Sequence, residues 1–420
     1  MTKLSRRLAA CFAIAIFCLL VSSPLPAQDV SVERVFVAVP FDQWTRTGPQ
    51  APIPWKVRVM TYGLSVHQRL RAHVDVELAG KELVKRTQGG KFVVLVQVGD
   101  SAGHIFRDYS YVALQEIPPQ LKKLKIFLNS DFFVLPGEYK VTVALVDDRT
   151  GEHDLMEAPL RVGPLKDDPL PGAWSGLPAV EFLGPAVEGP DMLFRPDVAG
   201  KLNLPLPTKR PVRIELLADV TASDLFRGST RFYNRYLSVA LPLMKALSQI
   251  RLEGGSLNVA MLDLRRRRVT FEQDEVKTLD WPRARAVLAP ENGPATIDIK
   301  ALEQKRESPA FLQDELLRRL NSGTSDDSRQ EAEPFHVFVV IGSPMDFYSF
   351  RNLPHMPAGS EERCVVYYLQ FELLNPQYAD GAVGNVRNML KPLKVHAIKV
   401  RSAESIRHAL ARILAEVSAL

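Results

Sequence analysis

Two hydrophobic patterns divide the chain. Up to about residue 163, apolar residues come in short runs or alternate with polar ones, the period of half-buried strands. Val35-Phe36-Val37-Ala38-Val39, Trp55-Lys56-Val57-Arg58-Val59 and His73-Val74-Asp75-Val76-Glu77-Leu78 read this way. So do Lys91 to Val96 and Leu124 to Leu128. The fullest unit is Leu135 to Asp148, where Pro136-Gly137 makes a turn and Tyr139, Val141 and Val143 share one face. A short strand at Leu160-Arg161-Val162 follows a polar turn. The spacing predicts an all-β sandwich over 30–163, and the strand opening Pro136-Gly137-Glu138-Tyr139 resembles the penultimate strand of immunoglobulin-like modules, which implies an immunoglobulin-like architecture.

From 164 to 210 periodicity fades and proline and glycine accumulate, as in a linker or an irregular packed segment. The hydrophobic residues Trp174, Phe182, Leu183 and Phe194 favour a segment lying along a domain surface over a free tether.

From 211 to 420 the pattern changes to alternating strands and helices. Val212 to Ala218 is an apolar strand, and Tyr233, Leu237, Leu241, Met244, Leu247 and Ile250 are spaced by three or four along a helix. Leu257 to Leu262 forms a strand leading through the polar tip Arg265–Arg268 into Val269-Thr270-Phe271. Helices are expected around 283–288 and 309–320, and strands at Phe335–Ile341, Cys364–Leu369 and Val395–Val400. Ser402 caps a last helix with Ile406, Leu410, Ile413, Leu414 and Val417 on one face. The alternation predicts an α/β fold of doubly wound, mostly parallel type, with helices on both faces of its sheet.

Composition changes little in this picture: 46% hydrophobic and 24% charged residues suit globular domains. The amino terminus adds more. Lys3, Arg6 and Arg7 precede an apolar run from Leu8 to Val21, and Ala27 offers a small residue for cleavage. This is the pattern of a signal peptide over 1–27, and the run of about 14 residues falls short of the about 20 that span a bilayer. An exported, periplasmic or secreted protein is expected, with no transmembrane segment after cleavage. Three of the five net positive charges leave with such a leader, and the near-neutral remainder argues against a nucleic-acid partner. Two of the three cysteines leave as well. Cys364 remains, in an apolar run that suits a buried small hydrophobe.

Asp219-Val220-Thr221-Ala222-Ser223 stands at the carboxyl end of the first strand after 211, where open α/β sheets bind ligands. Oxygen ligands of these types suit a hard divalent cation. Helix capping is the alternative role for the same residues. The order of elements around the string, the hairpin ending in Thr270-Phe271, and Gly293-Pro294-Ala295-Thr296 before a short helix together resemble the von Willebrand factor A (VWA) family over residues 210 to 420. The resemblance implies a metal-ion-dependent adhesion site at Asp219, Thr221, Ser223 and Thr296, holding magnesium or manganese with a position open for a partner's carboxylate. The chain departs from the family at Val340-Ile341-Gly342-Ser343. Ser343 stands where the family has an acidic ligand, and Asp346 falls three residues late. A site short of one carboxylate binds a cation more weakly, so a degenerate site kept without metal is the other expectation.

The Arg265–Arg268 run reads as a solvated tip, and the eight histidines show no zinc spacing. Neither G-x-S-x-G nor a phosphate-binding loop occurs. The sequence therefore predicts a binder of an unidentified protein partner and not an enzyme. A hydrolase with an unrecognised Ser or Asp centre and a structural component of an envelope assembly are the alternatives.

Overall fold

In the computed structural model, which describes residues 30–48, 53–86, 89–115, 117–184, 198–221, 230–288, 308–322, 333–342, 362–371, 386 and 388–420, the first element is a helix, α1 (Val30–Val37). A strand was expected over Val35–Val39. The β-branched run conceals a second period: Val32, Val35, Phe36 and Val39 recur at helical spacing. With Phe41 and Trp44 of α2 (Phe41–Thr47), they pack on Leu95, Ala144 and Val146.

The chain divides into two compact units, Met1–Met60, His73–Ser130 and Gly137–Arg161 in the first, and Thr61–Ala72, Asp131–Pro136 and Val162–Leu420 in the second. The early strands are β1 (Trp55–Leu64), β2 (Leu70–Ala79), β3 (Lys91–Asp100), β4 (Ile105–Ala113), β5 (Lys125–Val134), β6 (Gly137–Asp147) and β7 (His153–Val162). A short helix, α3 (Gly80–Val84), follows β2. Sheet order β4-β3-β6-β7 is antiparallel, with Val98 opposite Val141, Val96 opposite Val143 and Val94 opposite Leu145 on one buried face. The other face of the same sheet carries Leu95 and Ala144 under α1 and α2. A second antiparallel sheet has the order β1-β2-β5-β8. Its last strand, β8 (Val180–Leu183), comes from the proline-rich segment and pairs with Asp131–Val134 of β5. Two antiparallel sheets of this kind agree with the expected sandwich.

Within the second unit, β9 (Leu204–Leu206), β10 (Val212–Asp219), α4 (Thr230–Leu247), β11 (Ile250–Leu252), β12 (Gly255–Asp263) and β13 (Arg268–Gln273) come next. They are followed by α5 (Trp281–Leu288), α6 (Ser308–Asn321), β14 (Phe335–Gly342), β15 (Cys364–Phe371), β16 (Val395–Val400) and α7 (Ala403–Ser418). Ile250, expected on the helix, instead opens β11, which pairs in parallel with β9. Six strands form a sheet of order β13-β12-β10-β14-β15-β16, parallel except where β12 meets β13. Ile214, Leu216 and Ala218 of β10 face a core with α4, α5 and α7, while Leu217 faces α6 on the other side. Ser402 caps α7 through the expected box with Ser405, and Ile406, Leu410, Ile413 and Val417 are buried.

The expected fold class, a doubly wound, mostly parallel α/β sheet, is corrected by the strand pairings. Among the described residues strand outweighs helix, 43% against 29%, and two of the four sheets are antiparallel throughout. Consecutive strands joined by short turns can pair only antiparallel, because a parallel neighbour needs a crossover of a dozen residues or more. Among the described residues, parallel pairing is restricted to the six-stranded sheet and the β9–β11 pair.

Candidate functional site

Strand order reverses at β10. The chain goes from β10 to β12 and β13 on one side, and then to β14, β15 and β16 on the other. Connections diverge at such a point, leaving a crevice beyond the carboxyl ends of the strands. Asp219, the last residue of β10, stands there and is only 3% exposed.

Three bonds fix the backbone around it. Asp219 Oδ1 accepts from the Thr221 amide at 2.9 Å, the geometry of an Asx turn. The Val220 amide continues the ladder by donating to the Leu262 carbonyl at 2.8 Å. Thr221, also buried, accepts from the Leu264 amide through Oγ1 at 2.8 Å. The turn after β10 is thereby pinned to the end of β12. Asp219 and Thr221 are held as a pair by sheet and hairpin together. Ser223, Thr296, Ser343 and Asp346, which the sequence places with them, lie outside the described residues.

Neighbouring strands contribute polar groups that the sequence did not single out. Gly342 ends β14 opposite Gln370 of β15. A Cβ at Gly342 would meet the Tyr368 ring at 3.1 Å, so the bare backbone lets that ring lie against the strand end. Tyr368 and Gln370 are fully buried. Their place in an apolar strand gave no signal, since Cys364 to Leu369 reads as core. Cys364 is buried and free, as expected.

On β12, Asp263 is buried and accepts from the Arg266 amide at 3.1 Å, while its Oδ2 pairs with Arg266 Nη1 at 3.1 Å. The tip is therefore not a uniformly solvated arginine run. Arg265 is 5% exposed, and Arg266 folds back on Asp263.

Magnesium takes about six oxygen ligands, commonly one or two carboxylates with several waters. Asp219 brings one carboxylate, and among the described residues no group of three or more His, Cys, Asp or Glu could hold a metal ion. Asp219 and Thr221 are the two donors of the expected set among the described residues, too few by themselves to hold magnesium or manganese. No helix among the described residues is long and apolar enough to cross a membrane.

No protein family's sequence profile matches the chain, and no curated protein matches it. Among solved structures it is similar to the ArnB paralog VWA2 from Sulfolobus acidocaldarius, at 7% identity and TM-score 0.25, covering 66% of this chain and 49% of that one. A family 123 glycoside hydrolase from Clostridium perfringens is similar at 5% identity and TM-score 0.27, over 83% of this chain and 72% of that one. The PilB minor pilin from Streptococcus sanguinis is similar at 9% identity and TM-score 0.24, over 81% and 95%. This chain spans about half the length of the first. That protein bears the VWA designation in its name, and the family likeness extends so far and no further. Similarity at this level carries neither fold nor function across.

Proposed function

We propose that the chain is an exported protein-binding module of the VWA kind, whose second unit engages a protein partner at the carboxyl end of the six-stranded sheet and catalyses no reaction. The observation that supports this is the fixing of Asp219 and Thr221 where strand order reverses, by bonds of 2.9 and 2.8 Å to backbone amides. A recognition surface gains affinity when its polar groups are held in place before the partner arrives. The sequence holds no G-x-S-x-G nucleophile motif, which fits a binding role better than acyl-transfer chemistry.

The test places a photo-cross-linking side chain at Arg266, on the hairpin at this end of the sheet, in the native host. A discrete adduct that disappears in Asp219→Asn, a change that keeps an oxygen acceptor and removes the charge, is the expected result. An adduct indifferent to Asp219→Asn, or hydrolysis of generic ester and peptide substrates that this variant abolishes, would overturn the reading. Magnesium calorimetry on the same proteins tests the resemblance separately. Ser343→Asp should tighten binding, and no change would remove Ser343 from the ligand position.

A further inference from the structure

A cavity of about 720 Å³ in the second unit opens far from Asp219, at the amino end of β12. Its size falls within the range of small-molecule sites. The floor is apolar: Trp281, Leu257, Val276 and Ile250 line it, each less than a tenth exposed. The rim is cationic. Lys201, Lys245, Arg251 and Lys277 surround the opening, and Glu275 is the single acidic side chain among the lining residues.

The rim is also built, not a scatter of surface lysines. Lys201 Nζ donates to the Thr278 hydroxyl at 2.8 Å, tying the segment before β9 to the loop after β13. Arg251 donates to the Asn203 amide oxygen, and the Leu202 amide donates to Gln249 Oε1 at 2.5 Å. Thr278 and Asn203 are neutral acceptors, so these bonds position the two cations without cancelling their charge. The floor is equally fixed. Gly255 begins β12 at φ +126°, where an added Cβ would lie 1.8 Å from the Val212 carbonyl oxygen.

We infer that this cavity binds a small amphipathic anion, with its apolar body on Trp281 and Leu257 and its carboxylate or phosphate head among Lys201, Arg251 and Lys277. An apolar floor rewards burial of the body in proportion to area. A rim with four cations against one acid selects the sign of the head. A neutral body would gain only the first term, and a cationic amphiphile would be repelled.

Anilinonaphthalene sulfonate, an aromatic body with one anionic group, is the probe. With the full chain, its emission should rise saturably at one site per chain, as checked by calorimetry. Octanoate and octyl phosphate should displace it, and octanol at the same concentration should not. The double variant Lys201→Glu/Lys277→Glu should weaken probe binding at least tenfold. Lys122→Glu/Lys123→Glu, on exposed residues of the first unit, should leave it unchanged. Circular dichroism melts of both variants establish that the fold is retained. The inference is overturned by the absence of saturable binding, by equal displacement with octanol, or by unaltered affinity in the Lys201/Lys277 variant.

Discussion

Arg407 grips Asp168 with two parallel bonds, Nε to Oδ1 at 2.5 Å and Nη2 to Oδ2 at 2.8 Å, across 239 residues of chain. The same guanidinium donates to the Leu170 carbonyl at 2.7 Å and lies 4.6 Å from the Trp174 ring centre. Trp174 in turn donates to the Gln68 carbonyl at 2.7 Å, and Gln68 Nε2 donates to the Ala403 carbonyl at 3.1 Å. All these residues belong to the second unit. The clamp fixes Asp168 to Trp174 at the start of the proline-rich segment: α7 holds them by a planar fork whose five donors match a carboxylate and carbonyls at once.

Arg407→Met should therefore destabilise the chain by about 3 kcal/mol or more, because it leaves Asp168 largely buried without its partner. Burial alone would raise the Asp168 carboxyl, but the Arg407 bonds outweigh it and hold the group below the ordinary carboxylate range. A depressed carboxyl adds stability that is present above its unfolded value, about pH 4, and is lost as pH falls through the folded one. Denaturant titrations from pH 6 downward should show a shallower acid limb in Arg407→Met than in the parent. Arg407→Lys, which keeps charge without the fork, should recover part of the loss.

Much of the strand layout was legible because burial imposes period. The strands at Val212, Leu257, Phe335, Cys364 and Val395 stand where apolar runs end in turns or polar residues, and Ser402 announces α7. The failures have physical causes. Val35 to Val39 read as strand because β-branched residues dominate local propensity, although with Val32 the spacing of Val35, Phe36 and Val39 serves a helix. Clamp residues Asp168 and Arg407 carry no local signal, since a partner 239 positions away is set by tertiary structure alone. At the candidate site, Asp219 and Thr221 were legible from their place after an apolar strand. Tyr368 and Gln370 were not, because a polar group at a strand end looks like core until its neighbours are known.

Glu215 and Arg319 form a second buried pair, at 2.9 Å and with neither side chain more than 2% exposed. Asn258 donates to Glu215 Oε1 at 2.8 Å, and Arg319 Nη2 continues to Glu272 at 2.6 Å. Helix α6 is thus anchored to the middle of the sheet by charge. Replacing Arg319 by Met should cost about 2 kcal/mol, less than a fully unpaired buried charge would, because Glu215 keeps Arg213 Nε at 2.8 Å and the Asn258 amide. Glu215→Leu combined with Arg319→Met should cost less than Arg319→Met alone. Urea denaturation of Glu215→Leu, Arg319→Met and the double variant measures the coupling, and additive losses would show that the two side chains act independently.

Gly255→Ala should be worse than an ordinary glycine replacement. The residue lies at φ +126°, and the new methyl would sit 1.8 Å from the Val212 carbonyl oxygen in the adjacent strand. Neither atom can move without breaking the Val212–Gly255 register of β10 and β12. A loss well above the about 1 kcal/mol usual for backbone substitutions is expected, read as a lowered thermal midpoint. Gly103→Ala is the comparison: its φ is +86° but nothing lies within 4 Å, so strain acts there without a clash.

His336 gives the chain a dependence on mild acid. It lies fully buried in β14, its ring 6.0 Å from that of Phe338, and neither ring nitrogen has a hydrogen-bond partner. Burial lowers its basicity, Arg213 and Arg363 lower it further, and Glu215 and Glu333 oppose them without reversing the direction. The folded chain therefore refuses a proton that the unfolded chain accepts near pH 6.5. Because the folded value is depressed, this contribution to stability is whole above pH 6.5 and declines as pH falls toward the folded value. The slope can reach about 1.4 kcal/mol per pH unit between the two. His336→Leu removes the titrating group and keeps the site filled. The difference in unfolding free energy between parent and variant should thus be constant from pH 8 to 7 and shift in favour of the variant below 6.5. A difference independent of pH would mean that the folded protein protonates His336 as readily as the unfolded chain does, and that the sheet opens at β14 to admit water.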